Sequence, residues 1–297
     1  MKKIDLQIQT TCSDGRDSVE RVLQMAHKAG ISLISITDHD TVEHVPLAIE
    51  QAKGTGVWVV PGIEITVRHE AQILHILGYA FDAHSRSLLD LLKQSNAHYE
   101  AHYVEQLEQV VNRKLREAGR PEADAAHYRG KPSRYYKIPG LALFLFEEGI
   151  VEHQREGFQY LKGFSPDTLP ITAADAIRAL HEAGGLAVIS HPFAPKLSLK
   201  KVAKTAPEQD IFLESLVKQG LDGIECYQTG HSALDTEHAL TLAKKHHLLV
   251  TGGSDWHGTL EQTGENLKEY LPYYTGIFDG VEVPDGVYEK LLQAFAL

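Results

Sequence analysis

Short apolar runs alternate with amphipathic stretches along the first part of the chain. Strand patterns fall at Ile4 to Ile8, Leu33 to Ile36 and Val57 to Ile65, with helix patterns between them at about Ser18 to Lys28 and Val42 to Lys53. Short β-branched strands interleaved with amphipathic helices predict a parallel α/β architecture. The first helix is the best delimited: Ser18 is its cap, Val22, Leu23, Met25 and Ala26 its apolar stripe, and Gly30 its stop. From about Ser85 the texture changes. Leu88 to Ala118 reads as one or two long helices closed by Gly119-Arg120-Pro121, followed by a basic, aromatic stretch from Tyr128 to Lys137 and a helix near Leu141 to Glu148. Alternation resumes at Ile171, with a helix from Thr172 to Leu180 ended by Gly184-Gly185. Strands follow at Leu186 to Ser190, Gly223 to Cys226 and Leu248 to Thr251.

The apolar runs end in the same kind of residue. Ile34-Ser35-Ile36-Thr37 leads to Asp38-His39-Asp40, Val59-Val60-Pro61-Gly62-Ile63 to Glu64, Ile73-Leu74 to His75, Ala187-Val188-Ile189-Ser190 to His191, and Leu248 through Ser254 to Asp255-Trp256-His257. Strand tips that repeatedly deliver imidazoles and acids predict one shared metal site. In a βα barrel the loops after the strands converge on one face, so the expected picture is a barrel over 1–84 and 168–297. A helical insertion over 85–167 interrupts it, a segment the size of a small subdomain.

Composition sets broad bounds. The chain has 297 residues and 43% hydrophobic content, enough for a large core, and 40 acidic against 29 basic side chains give a formal charge of −11. That balance disfavours a long duplex nucleic acid as partner. Cys12 and Cys226 form no CxxC pair or disulfide framework, which fits reduced thiols. Met1-Lys2-Lys3-Ile4-Asp5 carries an acid where a signal peptide needs its apolar core, and no run reaches membrane-spanning length. A cytoplasmic protein without a membrane partner is expected.

Asp14, His39, Glu64, His75, His191, Asp255 and His257 are the candidate ligands. Four imidazoles and three carboxylates suit Zn²⁺, Mn²⁺ or Fe²⁺ better than Mg²⁺ or Ca²⁺. Several such ions would attract phosphate and steady charge building on phosphorus. Glu64 lies between Ile63 and Ile65, where an acid needs a partner; His75 sits mid-strand, where a hydrogen-bonded core histidine is the competing identity. Asp38 and Asp40 flank His39, as orienting or turn-capping acids. Cys226 reads as a buried thiol rather than a soft ligand. Arg134 and Lys137, in the basic aromatic stretch, are candidates for gripping phosphate, against a solvated loop. Tyr99, Tyr103 and Leu107, four residues apart, read as a packing stripe, and the other thirteen histidines as structural or solvent-facing.

One family carries these motifs in this order. Asp5-Leu6, Ile8 and Thr10, then Ser13-Asp14-Gly15, Ile36-Thr37-Asp38-His39-Asp40, Gly62-Ile63-Glu64, His75, His191-Pro192 and Gly253-Ser254-Asp255-Trp256-His257 resemble the polymerase-and-histidinol-phosphatase, or PHP, phosphoesterases. The resemblance implies a distorted TIM-like (β/α)7 barrel with an inserted helical cap. It also implies hydrolysis of a phosphate ester by a metal-activated hydroxide, with Asp14, Glu64, His191 and Asp255 at the chemistry. The insertion, with Ala183-Gly184-Gly185-Leu186-Ala187-Val188 after it, is similar to the nucleotide-acting subgroup. Members of that subgroup remove the 3′-phosphate of 3′,5′-bisphosphonucleosides and trim short RNA from its 5′ end.

By that resemblance a His-x-His pair with Glu64 and Asp255 holds a first ion; Glu64, His75 and His191 hold a second; Asp14, His39 and His257 a third. This chain has Gln7-Ile8-Gln9 at the pair. Two weak oxygen donors for two good nitrogen donors imply two or three divalent ions with the first site weak or empty, and reduced activity. Gln7 and Gln9 then join Arg134 and Lys137 as candidate substrate-binding residues. Three accounts of the change stand side by side: an engineered inactive form, a natural two-metal enzyme, and a pseudoenzyme that binds a nucleotide without turning it over. A phosphatase of a non-nucleotide metabolite such as histidinol phosphate is the remaining alternative.

Overall fold

All five side chains from Ile4 to Ile8 are fully buried, so β1 (Lys2–Ile8) is covered on both faces although it carries Asp5 and Gln7. The computed structural model describes residues 1–164, 171–194, 198–260, 265–266 and 276–297, side chains at 259–260 and 265–266 excepted. These fall into two compact units, Met1–Leu91 with Ile171–Leu297, and Leu92–Pro170.

The first unit is mixed α/β. After β1 come α1 (Val19–Ala29), β2 (Leu33–Ile36), α2 (His44–Ala52), β3 (Trp58–Val59), β4 (Gly62–His69) and β5 (Gln72–Tyr79). The chain leaves this unit along α3 (Arg86–Gln106) and re-enters it through α8 (Ala173–Glu182). Then follow β6 (Leu186–Ile189), α9 (Leu199–Val202), α10 (Ala206–Val217), β7 (Gly223–Gln228), α11 (Ala233–His246) and β8 (Leu249–Gly253). The two-residue strands β9 (Thr259–Leu260) and β10 (Glu265–Asn266) pair with each other, and β11 (Val281–Val283) and α12 (Asp285–Ala294) complete the unit.

Helix α1 illustrates how local chemistry sets an element. The Ser18 hydroxyl accepts from the Arg21 N–H at 3.2 Å, and Gly30 closes the helix in the left-handed region at φ 70°. Its Val22, Leu23 and Ala26 pack with Ile8, Ile34, Ile36 and Trp256, each large side chain contributing roughly 1.5–3 kcal/mol by leaving water. A second cluster joins Ile4, Leu6 and Leu33 to Leu77, Tyr79 and Val188, strands of both main sheets meeting in one core.

The strands order as β11-β1-β2-β3 and β4-β5-β6-β7-β8. Among the described residues the strands form two sheets rather than one continuous barrel, and the sheets meet through isolated bridges, Ile8 with Trp256 and His39 with Glu64. Nor is the pairing all parallel. β4 and β5 run antiparallel from Gly62↔Tyr79 to His69↔Gln72, β6 is antiparallel to β5, and β11 to β1. Only Glu70 and Ala71 separate β4 from β5, and a parallel crossover needs a dozen or more residues. Glu70 adopts φ 53°, the left-handed backbone such a tight hairpin favours. The single strand expected from Val57 to Ile65 is two, broken around Pro61, which has no N–H to donate to a ladder.

The second unit is helical. The latter part of α3 passes into a π-helical segment at Leu107–Val111, then α4 (Asn112–Glu117), α5 (Ala125–Tyr128), α6 (Ile138–Glu147) and α7 (Gln154–Tyr160), with a 3₁₀ turn at Ser133–Tyr135. Tyr103, Tyr128, Tyr136, Phe144 and Phe164 form its aromatic core, and the Asn112 amide fastens both backbone groups of Ala123 at 2.8 and 2.9 Å. No helix among the described residues is long and apolar enough to cross a membrane.

Candidate metal centre

The loop after β1 folds back on itself to present Asp14. Ser13 N–H and Gly15 N–H both donate to the Thr10 carbonyl at 3.0 Å, and a Cβ on Gly15 would sit 2.3 Å from the Gln9 carbonyl oxygen, so only glycine fits. Asp38, fully buried at the end of β2, ties this loop down by accepting from Thr10 N–H at 2.7 Å and from the Thr10 and Ser13 hydroxyls at 2.6 Å. The His44 ring stands 3.1 Å from Asp38, with its other nitrogen 2.9 Å from the Ile36 carbonyl and 3.1 Å from that of Gly62. Asp40 takes the Thr66 N–H at 3.0 Å and the Thr66 hydroxyl at 3.2 Å, fixing β4 beside β2. Of the two acids flanking His39, one therefore anchors the loop and the other the neighbouring strand.

Glu64 is the hub. Its Oε1 lies 3.0 Å from His75 Nδ1 and 3.3 Å from His191 Nε2, and those two nitrogens are 3.1 Å apart. Ligands of one tetrahedral ion bound at 2.0–2.1 Å stand about 3.3 Å from each other. The three atoms form a triangle of that size. Glu64 was expected near a strand tip and His75 within its strand; both lie inside β4 and β5, where the register pairs Thr66 with His75 and Glu64 with Leu77, so both side chains share one face of the hairpin.

Asp14, His39 and His257 make a second group, their ligand atoms all within 4.8 Å of one another. His39 Nε2 is 3.9 Å from Asp14 Oδ1 and 3.8 Å from Glu64 Oε2, and His257 Nε2 is 3.5 Å from Asp14 Oδ1. His39 thus stands between the two groups. Asp255 Oδ1 is 3.8 Å from His257 Nδ1. Three residues here hold left-handed backbone, Asp40 at φ 54°, His191 at 28° and Asp255 at 57°, strain of order 1–3 kcal/mol each that the surrounding packing maintains.

Charge is unevenly shared among the buried acids. Burial alone would raise the Glu64 carboxyl, but His75 and His39, with hydrogen bonds from His191 and His75, hold it well below the usual range. Burial and then the charge of Glu64 push Asp255 well above its ordinary value, and burial does the same for Glu225, only partly offset by the His191 N–H. Burial also pulls the His191 ring down against the attraction of Glu64. A neutral ring is the form that offers a lone pair to a metal. Two imidazoles with a carboxylate in each group fit borderline divalent ions.

The structure therefore gathers Asp14, His39, Glu64, His75, His191, Asp255 and His257 in one buried region of the first unit. Gln7 and Gln9 lie within it, bonded to Glu64. Arg134 and Lys137 belong to the second unit: the Arg134 guanidinium lies 4.8 Å from the centre of the Tyr135 ring and donates to the Tyr135 hydroxyl at 2.8 Å, and the Lys137 ammonium lies 4.4 Å from that of Tyr99. Cys226 is fully buried with its sulfur 3.7 Å from the Ile224 carbonyl, a packed thiol.

Several supporting residues escape a reading of local pattern. Ser190 donates to Glu64 Oε1 at 2.8 Å, and Glu225 accepts the His191 N–H at 2.8 Å. The latter gave the same signal as Glu64, an acid between Ile224 and Cys226 at a strand position. His231 accepts the Phe193 N–H at 3.2 Å through Nε2 while Nδ1 faces the Cys226 carbonyl at 3.1 Å, so its hydrogen sits on Nδ1 and the ring holds the turn after His191.

Comparison with known proteins gives a consistent outcome. A family model described as PHP domain matches residues 5–161. The phosphoribosyl 1,2-cyclic phosphate 1,2-diphosphodiesterase of Eggerthella lenta is 31% identical over 262 residues, 86% of this chain and 94% of that one. The 5′-3′ exoribonuclease of Haemophilus influenzae is 30% identical over 276 residues, 90% and 94% of the two chains. The 3′,5′-nucleoside bisphosphate phosphatase of Chromobacterium violaceum is 27% identical over 274 residues, 86% and 88%. Among solved structures, a Bifidobacterium adolescentis chain described as a metal-dependent phosphoesterase superposes with a TM-score of 0.74 at 24% identity, covering 99% of this chain and 96% of its own.

Proposed function

The chain belongs to the PHP domain family and is a metal-dependent phosphoesterase, and from that premise we propose that it cleaves a phosphate ester carried on ribose, either the 3′-phosphate of a 3′,5′-bisphosphonucleoside or a 5′-terminal linkage of a short oligoribonucleotide. The activities named for its relatives differ in the bond cut, yet all three concern a phosphate on a ribose-bearing compound. The formal charge of −11 favours a small substrate over a long polyanion.

The observation that carries this reading is the 3.0–3.3 Å triangle of Glu64, His75 and His191 beside the group of Asp14, His39 and His257. One divalent ion in each group, manganese, zinc or iron, would supply Lewis acidity at phosphorus and a nucleophile at neutral pH. The chain's own part is to hold that constellation. Glu64 spans both groups, Asp38 and Asp40 fix the elements that carry Asp14, His39 and Glu64, and Glu225 fixes the backbone of His191. Burial excludes bulk water and keeps His191 neutral.

Incubation of metal-loaded protein with a 3′,5′-bisphosphonucleoside, a 5′-phosphorylated RNA trimer, a ribose cyclic phosphate and histidinol phosphate tests this, the products read being inorganic phosphate, a 5′-mononucleotide, the ring-opened monoester and inorganic phosphate respectively, with elemental analysis alongside. Turnover of the first or second, with two equivalents of metal, is expected. Tight nucleotide binding without turnover identifies a pseudoenzyme, and turnover of histidinol phosphate alone refutes the ribose assignment.

A further inference from the structure

Gln7 and Gln9 do not stand open to a ligand. Gln9 Nε2 donates to Glu64 Oε2 at 2.6 Å; Gln7 Nε2 donates to Glu64 Oε1 at 3.1 Å and to the Ser190 hydroxyl at 2.9 Å, and that hydroxyl donates onward to Glu64 Oε1 at 2.8 Å. Every one of these groups is buried, Glu64 completely. Both oxygens of the central carboxylate are thereby gripped by neutral donors. The orientation of the amides follows from electrostatics. Turning either one over would set a carbonyl oxygen against a carboxylate oxygen at the same 2.6–3.1 Å.

This polarity is opposite to that of a metal-binding pair. A ligating imidazole offers a lone pair to a cation, whereas the amide nitrogens point hydrogens at Glu64. The only lone pairs of these side chains lie on their Oε1 atoms. That of Gln9 faces the Ser13 hydroxyl at 3.1 Å, and that of Gln7 is buried and accepts no hydrogen bond among the described residues. Ser13 in turn leans on Asp38 at 2.6 Å, so the grip on Glu64 runs back to the acid that anchors the Asp14 loop.

We propose that Gln7 and Gln9, with Ser190 as relay, are positioning residues: an amide clamp that holds Glu64 where a cation and its two histidines would otherwise hold it, so that the centre takes two ions and excludes a third. This rests on the two-group reading above. The clamp orients the carboxylate that completes the group of His75 and His191 and comes only within 3.8 Å of His39 in the other, and its removal frees Glu64 to rotate. Partners of this kind, which orient a ligand without touching the metal, typically change metal affinity by 10–100-fold when lost.

The test replaces each glutamine by methionine, which keeps shape and volume but donates no hydrogen bond. Bound Mn²⁺ and Zn²⁺ are counted after gel filtration, and dissociation constants are read by competition with a chromophoric chelator. Wild-type protein is expected to hold two equivalents. In Gln7→Met and Gln9→Met one of the two weakens about 10–100-fold while the other stays within about threefold. Ser190→Ala, which deletes only the relay, is the milder variant and decides the matter if the methionine forms do not fold; the same ion is expected to weaken. Unchanged constants in folded variants overturn the clamp, and three equivalents in the wild type overturn the exclusion. Fewer than two equivalents in the wild type overturns the underlying two-group reading instead.

Discussion

Replacing Asp5 by asparagine should stabilise the protein at neutral pH and leave it nearly unchanged in acid. Asp5 is completely buried: Oδ1 accepts the Ser254 N–H at 2.8 Å and the Gln7 N–H at 3.4 Å, while Oδ2 has no partner among the described residues. Burial, only partly offset by hydrogen bonds from Ser254 and Gln7, raises the carboxyl from 3.8 to about 7. Between those values the folded chain keeps a proton that the unfolded chain has released. The contribution of Asp5 is therefore fully present below about pH 4 and is lost as pH rises towards 7. Within that window stability falls by about 1.36 kcal/mol per pH unit, or up to about 4 kcal/mol over the whole of it. The asparagine side chain would have nearly the same shape and the same acceptor and no charge to desolvate, so the decline should disappear. Urea denaturation of chelator-treated Asp5→Asn and parent protein from about pH 5 to about pH 8 measures this, the variant's advantage growing from about 1.5 kcal/mol to about 4 kcal/mol. Parallel curves for the two proteins across that range would refute the assignment.

His191→Ala and His257→Ala should each lose one equivalent of metal and keep the other, because they sit in different groups; a loss of both from either change, measured by elemental analysis, would mean a single coupled site. Gly253→Ala should destabilise the first unit by about 3 kcal/mol or more in urea, since its Cβ would lie 2.5 Å from Gln7 N and 2.6 Å from Gln7 Cβ, and backbone on neither strand can give way cheaply. Gln7→His with Gln9→His should raise bound metal from two equivalents to three and turnover with it, as the amide donors give way to nitrogen ligands beside Glu64 and Asp255; unchanged metal content would show that the amides are not what limits the count.

Elements whose cues are local were legible in the sequence. Ser18, the apolar stripe and Gly30 bound α1 as expected, because caps and periodicity act within a few residues. The acid and imidazole motifs likewise named residues that the fold gathers, since each arrives with its own strand and turn. Pairing direction was less visible: Ile73-Leu74-His75-Ile76-Leu77 looks like any buried strand, and only the two-residue link after His69 makes it antiparallel. Supporting contacts were the least visible. Ser190 reaches Glu64 across 126 positions and Asp38 reaches Thr10 across 28, and no composition or spacing within either segment specifies such a partner.

The seam between β1 and β8 also constrains when the centre can exist. Gln9 N–H donates to Trp256, Asp255 N–H to Gln7 and Ser254 N–H to Asp5, so the opening strand finds its partner about 250 positions later. A ribosome adding roughly 5–20 residues per second needs on the order of 10–50 s to travel from Asp14 to His257. Throughout that interval the early histidines and acids on the nascent chain lack the later members of their constellation, and contacts this distant in sequence are slow to form. Ion capture is consequently a closing event of biogenesis, and metal scarcity should show itself in the yield of mature protein rather than in its synthesis.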